Sequence, residues 1–323
     1  MSLSQRDSAD DRIGLIDRPV AQQPVSGRPV ADGLVAEVAD AGGAWSAALA
    51  VDYGDPYLFD HPVDHVPGMV LLGGLLDLFR FGGAGQPERP GARLAISLTY
   101  TSFCEYAPAR LEIVEQPASG GERSFALQAA QDARVLCEGT AGFRPRPAEM
   151  AGAPGGRAEV GRAEVGRAEV WPPADATLVH QHNPENVLVS RIEPDGPGRT
   201  VAVRRPPAGH KLAVAPGEPV RAELFIDAAR QFTTMLGHTE YGLAQDRRNI
   251  LLRTEADLPC GLSLACGVYL RTVPEPQPPG RINLTSEVLV GAPDAAPCGT
   301  ITIDIFSASA TAYPRLRARG GAA

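Results

Sequence analysis

The chain has 323 residues, 44% of them hydrophobic, with 30 Lys plus Arg against 38 Asp plus Glu and a net charge of −8. That length allows two domains with a core in each, and the acidic balance excludes a general nucleic-acid footprint. The longest nearly unbroken apolar run, Gly68 to Leu76, falls far short of the roughly 18 to 20 residues of a membrane span, and the charged N-terminus lacks the apolar core of an export signal, so no membrane partner and a cytoplasmic location are expected.

Residues 1–33 are polar, proline-bearing and without periodicity, and read as a disordered tail. Residues 34–148 read as a first domain. Trp45 to Tyr53 is predicted as a strand and Met69 to Phe81 as a helix. Arg93 to Phe103, Ala109 to Gln116, Arg123 to Asp132 and Ala133 to Arg144 are predicted as a strand meander turning at Gly120-Gly121. Residues 149–171 carry GRAEV three times in succession, a linker in which a glycine every fifth residue opposes a stable helix. Residues 172–323 repeat the grammar of the first domain. Val187 to Ile192 and Thr200 to Arg205 are predicted strands, and Pro219 to His238 is a long helix opened by proline in its first turn. Strands follow around Leu262 to Val273, Arg281 to Val290 and Thr300 to Phe306. One helix followed by antiparallel strands, twice over, predicts an α+β fold: a double hotdog in which two antiparallel sheets each wrap a central helix.

Four of the six histidines fall in two close pairs, His61 with His65 and His180 with His182, while His210 and His238 bracket the second helix. That helix shows two stripes. Val220, Leu224, Phe225, Ala228, Phe232, Met235 and Leu236 form an apolar face, and Glu223, Asp227, Arg230 and Gln231 a polar one. A carboxylate on a largely buried helix is costly unless paired or used. Asp227 is therefore either an ion-pair partner of Arg230 or a general acid or base. The first helix carries Gly73-Gly74 instead, each about 1 kcal/mol worse than alanine in a helix interior; the glycines serve either close packing or room for an acyl chain. The five cysteines (Cys104, Cys137, Cys260, Cys266, Cys298) show no CxxC pairing, which argues against a disulfide framework and a zinc site. There is no P-loop, GxGxxG, GxSxG or HExxH, and His180-Gln181-His182 has no acidic or cysteine partner at a metal-ligand spacing, so neither a cofactor nor a metal is expected.

Several stretches together resemble the A-factor synthase (AfsA) family of γ-butyrolactone biosynthesis, double-hotdog proteins. "HPVDHVPGMVLL" is similar to the half of the family pattern in which an HP-x-DHVPGM loop leads into LLEAARQ. "LVHQHNPENVLV", "GHKLAV" and "AELFIDAARQFTTMLGHTEYG" resemble the other half, and "FSASATAYPRLR" extends the likeness towards the C-terminus. The sequence departs from the pattern in three ways. The two halves stand in the reverse order; Gly73-Gly74-Leu75-Leu76-Asp77 replaces Glu-Ala-Ala-Arg-Gln; and Asn186 and Asp227 stand where the family has glutamate.

The resemblance implies acyl transfer: a β-ketoacyl group moves from an acyl carrier protein or CoA thioester to a small hydroxylated or phosphorylated acceptor such as dihydroxyacetone phosphate. Dehydration or hydrolysis of an acyl thioester, or binding of an acyl ligand without catalysis, are the alternatives on this fold. By the logic of related hotdog enzymes, one composite site pairs Asp227 and Arg230-Gln231 with Asp64 and His65, and with His61. The reciprocal pairing of His210 with Gly73 lacks an acid. Gly68 at the first helix's N-terminus is expected to hold the thioester oxygen, with Gly73, His180 and His238 also on the substrate. Arg204, Arg205 and Lys211 around His210 are expected to bind phosphate or to meet an acidic carrier protein. A homo-oligomer is compatible with this reading.

Overall fold

The computed structural model describes residues 33–61, 63–82, 92–117, 123–145 and 171–320. The expected tail, apart from Gly33, the Gly120-Gly121 turn and the GRAEV repeats lie outside the described residues.

In the first half, β1 (Val35–Asp40) and β2 (Ala44–Leu49) precede α1 (Gly68–Phe81), and β3 (Ala92–Tyr100), β4 (Arg110–Glu115), β5 (Arg123–Gln131) and β6 (Arg134–Pro145) follow it. In the second, β7 (Glu193–Asp195) and β8 (Gly198–Ala202) precede α2 (Ala222–Thr239). It is followed by β9 (Arg248–Pro259), β10 (Val268–Thr272), β11 (Arg281–Val290), β12 (Gly299–Ala308) and a terminal α3 (Tyr313–Gly320). This is the expected double hotdog with one correction: the strands form a single antiparallel sheet, not two. Its order is β1-β2-β4-β5-β6-β3-β9-β12-β11-β10-β8-β7. Read from either end, each half repeats the same order, so β3 and β9 are counterparts that pair with each other across the centre, from Arg93↔Pro259 to Thr99↔Arg253. Arg93, buried at this seam, clamps it through Asp257 (Nε to Oδ1, 2.8 Å) and the carbonyl of Cys298 (2.7 Å). The apolar residues of both halves merge into one continuous core.

α1 starts where Pro67, with φ −59° and ψ 144°, breaks the preceding chain, and ends at Gly82. It is buried nearly all round, as its apolar sequence requires: Leu71, Leu72, Leu75, Leu76 and Leu78 are at most 2% exposed, each worth roughly 1.5–3 kcal/mol of burial. The two glycines are needed for packing. A Cβ on Gly73 would lie 2.8 Å from Leu34 Cδ1, and one on Gly74 would lie 2.6 Å from Leu49 Cδ1 and 2.8 Å from Leu111 Cδ1. Of the two readings of this glycine pair, close packing holds, since leucine side chains lie against both positions.

α2 begins at Ala222, three residues after Pro219, so the proline precedes the helix instead of lying in its first turn. Val187 to Ile192 is not a strand either: it follows a 3₁₀ turn at Pro184–Asn186 and touches the sheet through single bridges such as Val189↔Val203. No helix among the described residues is long and apolar enough to cross a membrane.

Candidate active site

The residues 52–61 that lead towards α1 leave their own half and lie against α2 of the other. Asp60 accepts from the backbone N–H groups of His182 and Asn183 (2.9 Å to the latter), and Asn186 Nδ2 donates to Asp60 (2.7 Å) and to the carbonyl of Pro56 (2.8 Å). Lys211 ties the same segment down through Asp55 (2.8 Å). This crossing brings residues about 170 positions apart into one site.

Asp227, 1% exposed on α2, receives three donors: Arg230 Nε at 2.5 Å on Oδ1, and the Tyr57 hydroxyl at 3.0 Å and Gln231 Nε2 at 3.1 Å on Oδ2. The ion pair with Arg230 is thus formed. Burial disfavours the Arg230 charge, but Asp227, Tyr57 and Asp60 outweigh it and keep the guanidinium protonated. Burial, followed by the Asp227 charge, pushes the Tyr57 phenol well above its ordinary range, so Tyr57 keeps its proton and donates it to Asp227. Gln231 also anchors the neighbouring segment, accepting from Leu188 N (2.8 Å) and donating to the carbonyl of Asn186 (2.9 Å). On α1 the corresponding residue is Asp77, which accepts from Leu34 N at 2.9 Å in the same manner. Asp77 thus makes on α1 the anchor that Gln231 makes on α2, while Gly73 stands where α2 carries Asp227.

The other half of the site is a carboxylate–imidazole pair. His65 Nδ1 lies 2.8 Å from Asp64 Oδ1, and the Tyr313 hydroxyl of α3 donates to the same oxygen at 2.6 Å while standing 3.2 Å from His65 Nδ1. With Nδ1–H directed at the carboxylate, Nε2 keeps its lone pair for a proton. Burial works against the Asp64 charge, yet Tyr313, His65 and Arg317 hold its carboxyl below the usual aspartate range. Arg317 forks onto Glu105 (2.8 Å from each nitrogen) and covers the Phe103 ring, which docks α3 over the loop.

Both halves line one cleft of about 1090 Å³. His61, Asp64 and His65 come to it from the first half, and His180, Asp227 and Arg230 from the second. Met69, Tyr100, Phe103, Leu251 and Phe306 give it apolar walls, and Pro67 and Gly68 bring the N-terminus of α1 to its edge. His180 takes a left-handed conformation (φ 54°), and its Nε2 meets His238 Nε2 at 2.9 Å. His238 Nδ1 lies 2.7 Å from the carbonyl of Leu243 and must donate to it, so His180 is the donor between the two rings. Burial, then the nearby His238 and the cations around it, pushes the His180 imidazole down to about 4. Burial and His182 likewise lower His61, whose ring centre is 5.4 Å from that of His182. Among the described residues no cluster of three or more His, Cys, Asp or Glu could hold a metal ion.

The remaining sequence candidates lie elsewhere. Gly73 faces Leu34, not the cleft. His210, with burial lowering its imidazole, packs its ring against Tyr57 at 4.5 Å and stands behind the site. Arg204 donates to the carbonyl of Val187 and Lys211 pairs with Asp55; neither these two nor Arg205 lines the cleft. His238 reaches it only through His180. Sequence reasoning missed Tyr57, Tyr313 and Arg248, which line the cleft. Tyr313 sits in "TAYPRLR" of the C-terminal likeness; Tyr57 and Arg248 carried no local signal.

A protein-family model described as the A-factor biosynthesis hotdog domain matches residues 9–146 and again 164–308. The 2-oxo-3-(phosphooxy)propyl 3-oxoalkanoate synthase of Streptomyces virginiae is 33% identical over 128 residues, 38% of this chain and 42% of that relative, so the match spans less than half of either. Among solved structures, the dehydratase domain of RzxB from Pseudomonas fluorescens superposes with a TM-score of 0.57 at 11% identity, covering 84% of this chain and 98% of that one. The dehydratase domain of the CurJ module of the curacin polyketide synthase gives 0.53 at 11% identity, over 88% and 98%. At such identities the likeness is one of fold.

Proposed function

Because the chain belongs to the A-factor biosynthesis hotdog family, we propose that its cleft transfers a β-ketoacyl group from a carrier-protein or CoA thioester to the hydroxyl of a small acceptor such as dihydroxyacetone phosphate. The observation that carries this reading is the meeting, in one apolar-walled cleft, of the Asp64–His65 pair from one half with Asp227 and Arg230 from the other.

In the proposed reaction the acceptor oxygen attacks the thioester carbonyl. His65 Nε2 takes the hydroxyl proton as the new C–O bond forms, and returns it to the sulfur as the C–S bond breaks and the thiol leaves. Asp64 holds the imidazole tautomer and balances its transient charge. Asp227, whose Oδ1 is held by Arg230 Nε, accepts the O–H of the acceptor as it binds and orients it, before that proton turns to His65 Nε2. The N-terminus of α1, where Val70 N already turns back to the carbonyl of Pro67 (2.9 Å), leaves the N–H groups of Gly68 and Met69 to face the developing oxyanion.

A His and a helix carboxylate from opposite halves would also suit loss of water from a 3-hydroxyacyl thioester. That reaction needs an acid that donates, whereas Asp227 is surrounded by donors and is placed to accept. The family's "phosphooxy" relative favours transfer as well. Incubation with a β-ketoacyl thioester and dihydroxyacetone phosphate, followed by mass spectrometry, should yield a phosphorylated acyl ester with release of one thiol. Free β-keto acid alone would point to hydrolysis, and water loss from a 3-hydroxyacyl thioester to dehydration.

A further inference from the structure

Arg248 opens β9 at the rim of the cleft and is exposed. Among the described residues it makes no ion pair, and neither does Asp246 on the same rim. It lines the same cleft as His61 on the loop before α1, His180 beside α2 and Tyr313 on α3. Arg248 therefore faces into the cleft. Of the acids at this end, Asp60 is engaged by the backbone of His182 and Asn183 and Asp227 by Arg230, Tyr57 and Gln231, while Asp246 stands exposed on the rim. The result is a cleft end lined by the guanidinium groups of Arg230 and Arg248 and by the imidazoles of His61 and His180, which burial, and then the neighbouring imidazoles and guanidinium groups, keep neutral. His61 Nδ1 is buried without a protein partner.

We propose that Arg248, with His61 and Arg230 beside it, binds a phosphate ester at the end of the acyl-transfer cleft. The inference rests on the acyl-transfer reading for its place in the reaction, but not for its chemistry. An unpaired arginine fork matches a phosphate dianion through two parallel hydrogen bonds, and the buried, unpartnered Nδ1 of His61 supplies a further donor when it carries the ring proton. Two substrates could bring such a group: the phosphorylated acceptor, or the pantetheine phosphate of the thioester donor. The position differs from the one that the sequence suggested, since Arg204, Arg205 and Lys211 lie off the cleft.

Isothermal titration with glycerol 3-phosphate, a phosphate ester unable to condense further, tests the binding directly. The wild-type protein should bind it and not glycerol. Arg248→Gln should weaken binding on the order of tenfold or more and Arg248→Lys should restore part of it, while Arg205→Gln should leave it unchanged. Kinetics separate the sources. With an N-acetylcysteamine thioester, which has no phosphate, a KM for dihydroxyacetone phosphate raised in Arg248→Gln more than kcat is lowered assigns the group to the acceptor. With a phosphopantetheine thioester and dihydroxyacetone, a raised donor KM assigns it to the donor. Either supports the site. Binding of glycerol 3-phosphate within twofold of wild type in Arg248→Gln, or no binding by wild type, overturns it; if no acyl transfer occurs with any donor, the titration still decides.

Discussion

Asp227→Asn separates the structural and catalytic parts of the buried network. The substitution keeps the side-chain size but removes the charge opposite Arg230, with Nε at 2.5 Å, and offers an amide N–H₂ to a shell of donors. Breaking a buried pair from one side costs about 3–5 kcal/mol. Here 21% of the Arg230 side chain is exposed and the Asp60 charge helps to balance it, so about 2–3 kcal/mol is expected. At about 2–4 °C per kcal/mol that is a fall of roughly 4–12 °C in the melting temperature. The double variant Asp227→Asn/Arg230→Met removes the stranded cation and should recover much of that loss. Acyl transfer, measured at a temperature where every variant is folded, should stay at least about 100-fold down in both, since alignment of the acceptor hydroxyl depends on the carboxylate itself. If the double variant regains activity along with stability, or the single variant turns over at wild-type rates, Asp227 serves only to pair Arg230 and its assignment to the chemistry is wrong.

Tyr313→Phe deletes the 2.6 Å hydrogen bond to Asp64 while leaving the ring against Phe103; the acidic limb of the kcat/KM profile should move and the rate fall several-fold, whereas an unchanged profile would remove Tyr313 from the positioning of His65. Gly74→Ala should lower the melting temperature more than Gly73→Ala, because its new methyl group meets two leucine side chains instead of one; the reverse order would show that the space around α1 has been misread. Lowering pH should destabilise the protein through His180. Its folded value of about 4 lies below the ordinary 6.5, so the unfolded chain binds more protons between those values. That stability is complete above about pH 6.5 and is lost as pH falls towards 4. His180→Gln should flatten the pH dependence of the melting temperature without abolishing it, since burial also lowers His61 and His210; a slope identical to wild type would contradict the burial of a neutral His180.

α1 was legible as a long apolar run after Pro67 and α2 as an amphipathic pattern, although its onset was placed at Pro219 instead of Ala222, and β11 was read to the residue from the alternation of its first seven residues. β9 was not. Leu251 and Leu252 interrupt its alternation, and its partner in the seam, β3, lies in the other half, so no hairpin signal announces it. β1 was hidden by a bulge between Ala36 and Ala39, where Glu37 takes φ 53°. For the site, the loop motif named His61, Asp64 and His65 and the polar stripe named Asp227, Arg230 and Gln231, and the fold brings the two sets to one cleft, with Gln231 behind Asp227. Tyr57 escaped because it acts on a residue 170 positions away, a contact that only the crossing of the loop creates. The phosphate candidates Arg204, Arg205 and Lys211 were chosen for closeness in sequence to His210, and the structure directs Lys211 to Asp55 and Arg204 to a backbone carbonyl instead.

The central claim is that one composite site, built from His65 of the first half and Asp227 of the second, carries out acyl transfer. It is tested most directly by single-turnover transfer rates for wild type, His65→Gln, Asp227→Asn and the double variant. Groups that act together on one substrate should give a strongly non-additive pattern, with each single loss large and the double variant little worse than either. Two small losses that simply multiply, or a His65→Gln variant at the wild-type rate, would contradict it.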